Sequence, residues 1–268
     1  MTRLAADFHL HLYKVYPLET LLRALFANLN RLAGPTRDGA PVVKAAFLAE
    51  RRRYRIFQDW HRGLFRIRGF TVRPRGPHAV DIVTDRDDRL LLFAGRQIAT
   101  AEGLEILSLV NDREVPDALP FPEAAARVLD TGGIPVLPWA PGKWSGSRHA
   151  IVRQAIVSLA PRGLLLCDSS IRPAFFPEPS LFHLARRLGV PIVAGTDPFP
   201  VAGEETLAGS YGSLLEADFT ADNAPETIPG LLRERSFTAC RPIGRRSPFP
   251  IAARRWLVNM FGSHRVTP

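Results

Sequence analysis

The stretch ADFHLHLYKVY, residues 6–16, decides how the rest of the chain is read. Its apolar residues alternate with Asp7, His9 and His11. Successive side chains of a strand point to opposite faces, so the three polar groups share one face and Phe8, Leu10 and Leu12 share the other. The apolar trio is ordinary core. Leaving the polar trio buried and unpaired would cost roughly 1–3 kcal/mol per group. Partners for it must come from elsewhere in the chain.

Working outward, Pro17 opens a helix whose leucines (18, 21, 22, 25, 29, 32) and Phe26 recur at helical spacing, with Gly34 and Pro35 as its stop. PVVKAAFLAE reads as a buried strand ending at Glu50, and residues 51–61 as a second helix. Residues 64–103 look like antiparallel strands turning at 85–88, a β-rich insertion. Strands and helices then alternate. GLEILSLV, IPVLPW, GLLLCDSS, PIVAGTD and SLLEADFT are strands; residues 122–130, 147–159, 179–188 and 225–234 are helices. A basic amphipathic helix, FPIAARRWLVNMF, closes the chain. This alternation predicts a parallel α/β sheet, and about seven β-α units in one domain (residues 1–268) predict a distorted (β/α)7-type barrel.

Composition limits the function. At 268 residues and 46% hydrophobic, the chain can bury a large core. No stretch approaches the ~20 apolar residues of a membrane span, and Asp7 comes too early for a secretory signal. Cys167 and Cys240 are the only cysteines, so no disulfide framework is implied and a cytoplasmic setting is expected. The net charge of +9 is carried almost wholly by arginine, lysine occurring only at positions 14, 44 and 143. Its clusters are scattered among acidic residues without a nucleic-acid motif, so they read first as solvated faces; nucleic acid is not expected, and the functional reading is a small anionic substrate, a phosphorylated one among the candidates. The sequence leaves the oligomeric state open.

In a β/α barrel the chemistry sits at the C-terminal strand ends. There the sequence places His9, His11, Glu50, Glu105, Asp168 and Asp197. Two imidazoles with converging carboxylates make a site for one Mn, Zn or Fe ion, with Asp7 as a further ligand or a partner to a histidine N–H. Glu102 competes with Glu105, but three residues apart on a strand they face opposite ways. The turn-rich segment 138–149 offers Lys143 and Arg148 to a substrate anion, with Trp139 and Trp144 as walls; an ordinary surface loop accounts for it as well. Its GK pair is not a P-loop, since Leu137 and Trp144 stand where that motif needs glycine and Ser or Thr. RPIGRRSP (241–248) reads as a solvated loop or an arginine rim for phosphate. His61, His78, His149, His183 and His264 read as structural or exposed, and Cys167 as core.

DFHLH on the first strand, GLEI on a middle strand and AGTD on a late one resemble the polymerase-and-histidinol-phosphatase (PHP) superfamily, metal-dependent phosphoesterase-like proteins on a distorted seven-stranded barrel. The resemblance implies that His9 and His11 match the family's first histidine pair, Glu105 its bridging glutamate and Asp197 its late aspartate. Three departures go with it: Phe199 stands where a histidine is usual, Ala49-Glu50 replaces an Asp-His pair, and no histidine stands near Trp139. The expected function is a metal-dependent hydrolase, with metal-activated water as nucleophile, Asp168 or Asp197 as general base and Lys143 against the phosphate. The alternative is a catalytically silent barrel that binds a ligand or a protein.

Overall fold

The computed structural model describes residues 1–34 and 41–262, with side chains to 258. Pro35 and His264 lie outside the described residues. Twelve strands are described: β1 (Thr2–Leu10), β2 (Val42–Leu48), β3 (Phe70–Pro74), β4 (Ala79–Thr84), β5 (Arg89–Phe93), β6 (Gly95–Ala99), β7 (Glu105–Leu109), β8 (Ile134–Pro138), β9 (Leu165–Ser169), β10 (Ile192–Gly195), β11 (Tyr211–Ala217) and β12 (Ala239–Gly244). The helices are α1 (Leu18–Ala33), α2 (Ile56–His61), α3 (Phe121–Asp130), α4 (Ser147–Leu159), α5 (Ser180–Arg187), α6 (Ala224–Glu234) and α7 (Phe249–Gly262).

These strands form two mixed sheets and no closed barrel, which corrects the (β/α)7 expectation. One sheet has the order β12-β11-β1-β2-β5-β4-β3, the other β10-β9-β8-β7-β6. The reason is strand direction. A β/α barrel needs every neighbouring pair parallel, with a helical crossover between strands. Here β6–β7, β7–β8 and β1–β11 are antiparallel. The chain from β3 to β7 runs through short turns, which can only make antiparallel neighbours or a change of sheet. The expected insertion is therefore shared out: β3, β4 and β5 extend the first sheet, and β6 begins the second after a break at Ala94.

The layers follow from burial. Phe8, Phe47 and Phe93 on the adjacent strands β1, β2 and β5 stack with ring centroids 4.6 and 4.8 Å apart. They share one core with Leu107, Val136, Cys167 and Val193 of the second sheet. A second core lies between the second sheet and α3, α4 and α5. A third lies between the first sheet and α1 and α2. The amphipathic helices thus cover the outer faces, while strands buried on both faces carry near-continuous apolar runs.

Two local differences from the sequence reading, and one close approach, matter for the site. The helix expected over 51–61 forms only over Ile56–His61, leaving Arg51 in the loop ahead of it. Part of RPIGRRSP is the edge strand β12. The two sheets also approach closely where β10 meets β1: a Cβ on Gly195 would lie 2.4 Å from the His9 nitrogen, so only glycine fits there. No described helix is long and apolar enough to cross a membrane.

Candidate metal centre

β1 runs to Leu10, and its register against β2 breaks between Asp7 and Leu10. The polar trio divides between two neighbouring residues, Thr196 and Asp197. Asp7 points to the loop after β10, where its carboxylate accepts hydrogen bonds from Thr196 N (2.9 Å), Thr196 Oγ1 (2.5 Å), Gly209 N (3.0 Å) and His9 N (3.1 Å). Burial pushes its pKa up, against these hydrogen bonds. With its oxygens so engaged, Asp7 ties β1 to the loops after β10 and before β11.

His9 and His11 instead meet Asp197. Their Nε2 atoms lie 3.1 Å apart, and each is 3.5 Å from Asp197 Oδ1. Both histidines are buried and the aspartate side chain is 14% exposed. The three form a group that could hold a metal ion. The dimensions suit one: with bonds of about 2.0–2.2 Å, ligand atoms around an ion sit roughly 3–3.5 Å apart. Asp197 is held from three sides. Its N–H donates to His9 O (2.8 Å), its Oδ2 accepts from Ser169 Oγ (3.2 Å), and its carbonyl accepts from Arg255 of α7 (3.1 Å). It adopts φ +51°, the left-handed region that aspartate tolerates better than most residues. Burial opposes its ionisation, but His9, His11 and Arg255 outweigh that and hold its carboxyl well below the usual carboxylate range. Burial, together with His9 and Arg51, lowers the pKa of His11 against the pull of Asp197. A neutral imidazole is the form that can ligate an ion.

A cleft of about 420 Å³ opens over this group, lined among others by Tyr13, Arg51, Gln97, Glu105, Lys143 and Trp256. Gln97 and Glu105 share a face of the β6–β7 hairpin, where Gln97 pairs with Leu107 and Ala99 with Glu105. The Gln97 side chain spans two groups, its Oε1 3.1 Å from His9 Nε2 and its Nε2 donating to Glu105 Oε1 at 3.0 Å. Lys143 Nζ sits 2.6 Å from the same Glu105 oxygen. Glu105 therefore stands beside this group, joined to it through Gln97 and bound to a lysine. Glu102 is elsewhere, accepting from the Phe121 N–H at the start of α3.

The other expected site residues are distributed around the fold. Glu50 accepts from Phe57 N (2.9 Å) at the start of α2 and lies 3.6 Å from Arg96. Burial raises its pKa to about 7, against Phe57 and Arg96. Asp168 is bound through both oxygens by Arg172 (2.7 and 2.6 Å) and accepts from Tyr211 Oη (2.8 Å). Trp139 is buried in the core under α4 and lies 6.2 Å from Phe176. Arg148 is half-buried and donates to Gly142 O (2.9 Å).

No family model matches the chain, and no curated protein matches it in sequence. Its fold is similar to that of PsfC from Pseudomonas syringae PB-5123, a crystal structure, with a TM-score of 0.56 across 100% of both chains. Identity is 14%, so this likeness concerns the fold alone.

Sequence reasoning noticed Arg51 and Arg255 only as members of arginine clusters and passed over Gln97, Tyr13 and Trp256. Gln97 had a signal: as an amide in the strand GRQIAT, it needs a partner if it faces inward. The others come from loops and from α7, where sequence position says nothing about facing the cleft.

Proposed function

We propose that this protein is a metal-dependent hydrolase of phosphate esters, of the PHP type, in which His9, His11 and Asp197 hold one Mn, Zn or Fe ion. The observation that carries this reading is the triangle of their ligand atoms, with edges of 3.1, 3.5 and 3.5 Å, at the floor of a cleft. An ion there supplies Lewis acidity, polarising an ester oxygen and making water acidic enough to attack near neutral pH. The chain's own residues supply the rest. Arg51 and Lys143 face the cleft as cations for a phosphate group. Asp168 does not take the general-base role expected for it, because both its oxygens are bound by Arg172, and Asp197 serves as a ligand through Oδ1 while its Oδ2 accepts from Ser169. Gln97 donates to Glu105, and its Oε1 accepts from His9 Nε2–H, a contact that an ion on the same nitrogen would replace. The likeness to PHP proteins rests on the motif residues His9, His11 and Asp197; Glu105 departs from it by pairing with Lys143, and the two-sheet fold departs from that family's barrel.

The test is metal content, followed by turnover. Protein purified without chelator is expected to carry about one equivalent of Mn, Fe or Zn. Added Mn is expected to stimulate hydrolysis of a generic phosphomonoester or phosphodiester. His11→Ala and the near-isosteric His11→Gln should both lose metal and turnover. Metal-free wild-type protein that takes up none of the three ions would overturn the reading.

A second reading, a binding module without catalysis, is favoured by one observation. Lys143 and Gln97 occupy Glu105, which leaves a three-donor group, and the buried Nδ1 of His9 has no hydrogen-bond partner. Ligating histidines usually donate from that second nitrogen. Stoichiometric metal without turnover of either ester class would select this reading.

A further inference from the structure

On another side of β9 and β10 lies a second cleft of about 400 Å³. It falls where β10, the edge strand of one sheet, runs beside β11 and β12 of the other. Its volume is within the range of small-molecule sites, ~300–1,000 Å³. Nothing in the proposed hydrolase chemistry uses it.

The charges lining it do not balance. Three guanidiniums (Arg172, Arg186, Arg246) face two carboxylates (Asp168, Glu178). Arg172 is committed to Asp168 through two hydrogen bonds, and its side chain is 7% exposed. Arg186 is committed to Glu178, again through two. Arg246 donates only to the carbonyls of Ala174 (2.8 Å) and Phe176 (3.4 Å). Among the described residues no carboxylate lies within ion-pair distance of it. The cleft thus holds one guanidinium charge without a counterion, beside a wall of Pro191, Ile192 and Pro242.

We propose that this cleft binds a small organic carboxylate, its head on Arg246 and its hydrocarbon body on Pro191, Ile192 and Pro242. A guanidinium and a carboxylate match in planar, two-pronged geometry. One uncompensated charge calls for a monoanion. The proline and isoleucine surfaces offer nothing to a polar body and favour an apolar one.

The experiment titrates the full-length protein by calorimetry with octanoate, octanol and inorganic phosphate. The expected result is saturable binding of octanoate at one site, and binding of octanol at least tenfold weaker. Arg246→Gln should weaken octanoate about tenfold or more. Arg246→Lys, which keeps the charge, should restore part of the affinity, and His11→Ala should leave it unchanged. Circular dichroism of each variant establishes that it is folded. Octanoate binding lost in His11→Ala but kept in Arg246→Gln would assign the ligand to the first cleft and overturn the proposal. So would equal binding of octanol, saturable binding of phosphate alone, or no binding at all.

Discussion

β9 and β10 are neighbouring parallel strands, and in both an apolar run leads to an aspartate: LLLCDSS to Asp168 and VAGTDP to Asp197. Their carboxylates have opposite surroundings. Asp168 meets a guanidinium four residues further on and a tyrosine hydroxyl, which saturate it. Asp197 meets two imidazoles whose nitrogens can offer lone pairs to an ion. Residue type and strand position are shared. What differs is the neighbour: arginine neutralises a carboxylate permanently, whereas neutral histidine leaves it open for a cation that comes from outside. A carboxylate at a strand end is thus a structural clamp or a ligand according to what the fold places opposite it.

The sharpest way to break the comparison is to remove each aspartate and measure stability. Asp168→Ala leaves Arg172 buried without its counterion, and losing one member of a buried pair costs roughly 3–5 kcal/mol. Urea denaturation should show that loss. Asp197→Ala leaves no buried cation without a carboxylate, because Arg255 keeps its pair with Glu204 at 2.8 Å. Its stability loss should be clearly smaller, while metal uptake disappears. Equal losses in the two variants would erase the distinction between clamp and ligand.

Glu50 sharpens the same contrast as an intermediate case. It is a strand-end carboxylate beside an arginine, but at 3.6 Å and without the two-pronged contact of Asp168. Burial therefore wins, and its pKa rises from 4.5 to about 7. The native state then binds more protons than the unfolded state between these values, so stability falls as pH rises from about 4.5 to 7. The difference between the two values amounts to roughly 3 kcal/mol across that window. Glu50→Gln keeps the acceptor for the Phe57 N–H and removes the titration. Denaturation midpoints of the variant should lose this part of the pH dependence. An unchanged slope would place the titrating group elsewhere.

Much of this was legible from local pattern. Helical spacing placed α1 and α4, and residue type and strand position brought out His9, His11 and Asp197. The division into two sheets was not legible, because local alternation carries no information about strand direction. β7 reads the same whether it runs parallel or antiparallel to β8. Partners remote in sequence were hidden for the same reason. Asp7 has its acceptors filled from Thr196 and Gly209, and Glu50 serves the start of α2. A polar trio on one strand face looked like one site, but its first member is taken by Thr196 and Gly209, beside Asp197 and not on it.

The smallest effect concerns the backbone that presents Asp197. At φ +51° any residue with a Cβ other than aspartate or asparagine is disfavoured, by roughly 1–2 kcal/mol. Asp197→Ala combines loss of the carboxylate with that strain, whereas Asp197→Gly loses the carboxylate and relieves the strain. Glycine gives part of the gain back through its freer unfolded chain, roughly 0.5–1 kcal/mol. The glycine variant should still be the more stable of the two, by up to about 1 kcal/mol. Both should fail to take up metal. The difference between their urea midpoints therefore isolates what the fold spends on holding this one ligand in place, separately from the charge that Asp168 and Asp197 have in common. An alanine variant as stable as the glycine one would mean that the turn relaxes when the carboxylate goes, and that the imidazoles, not the chain, hold Asp197 in its left-handed conformation.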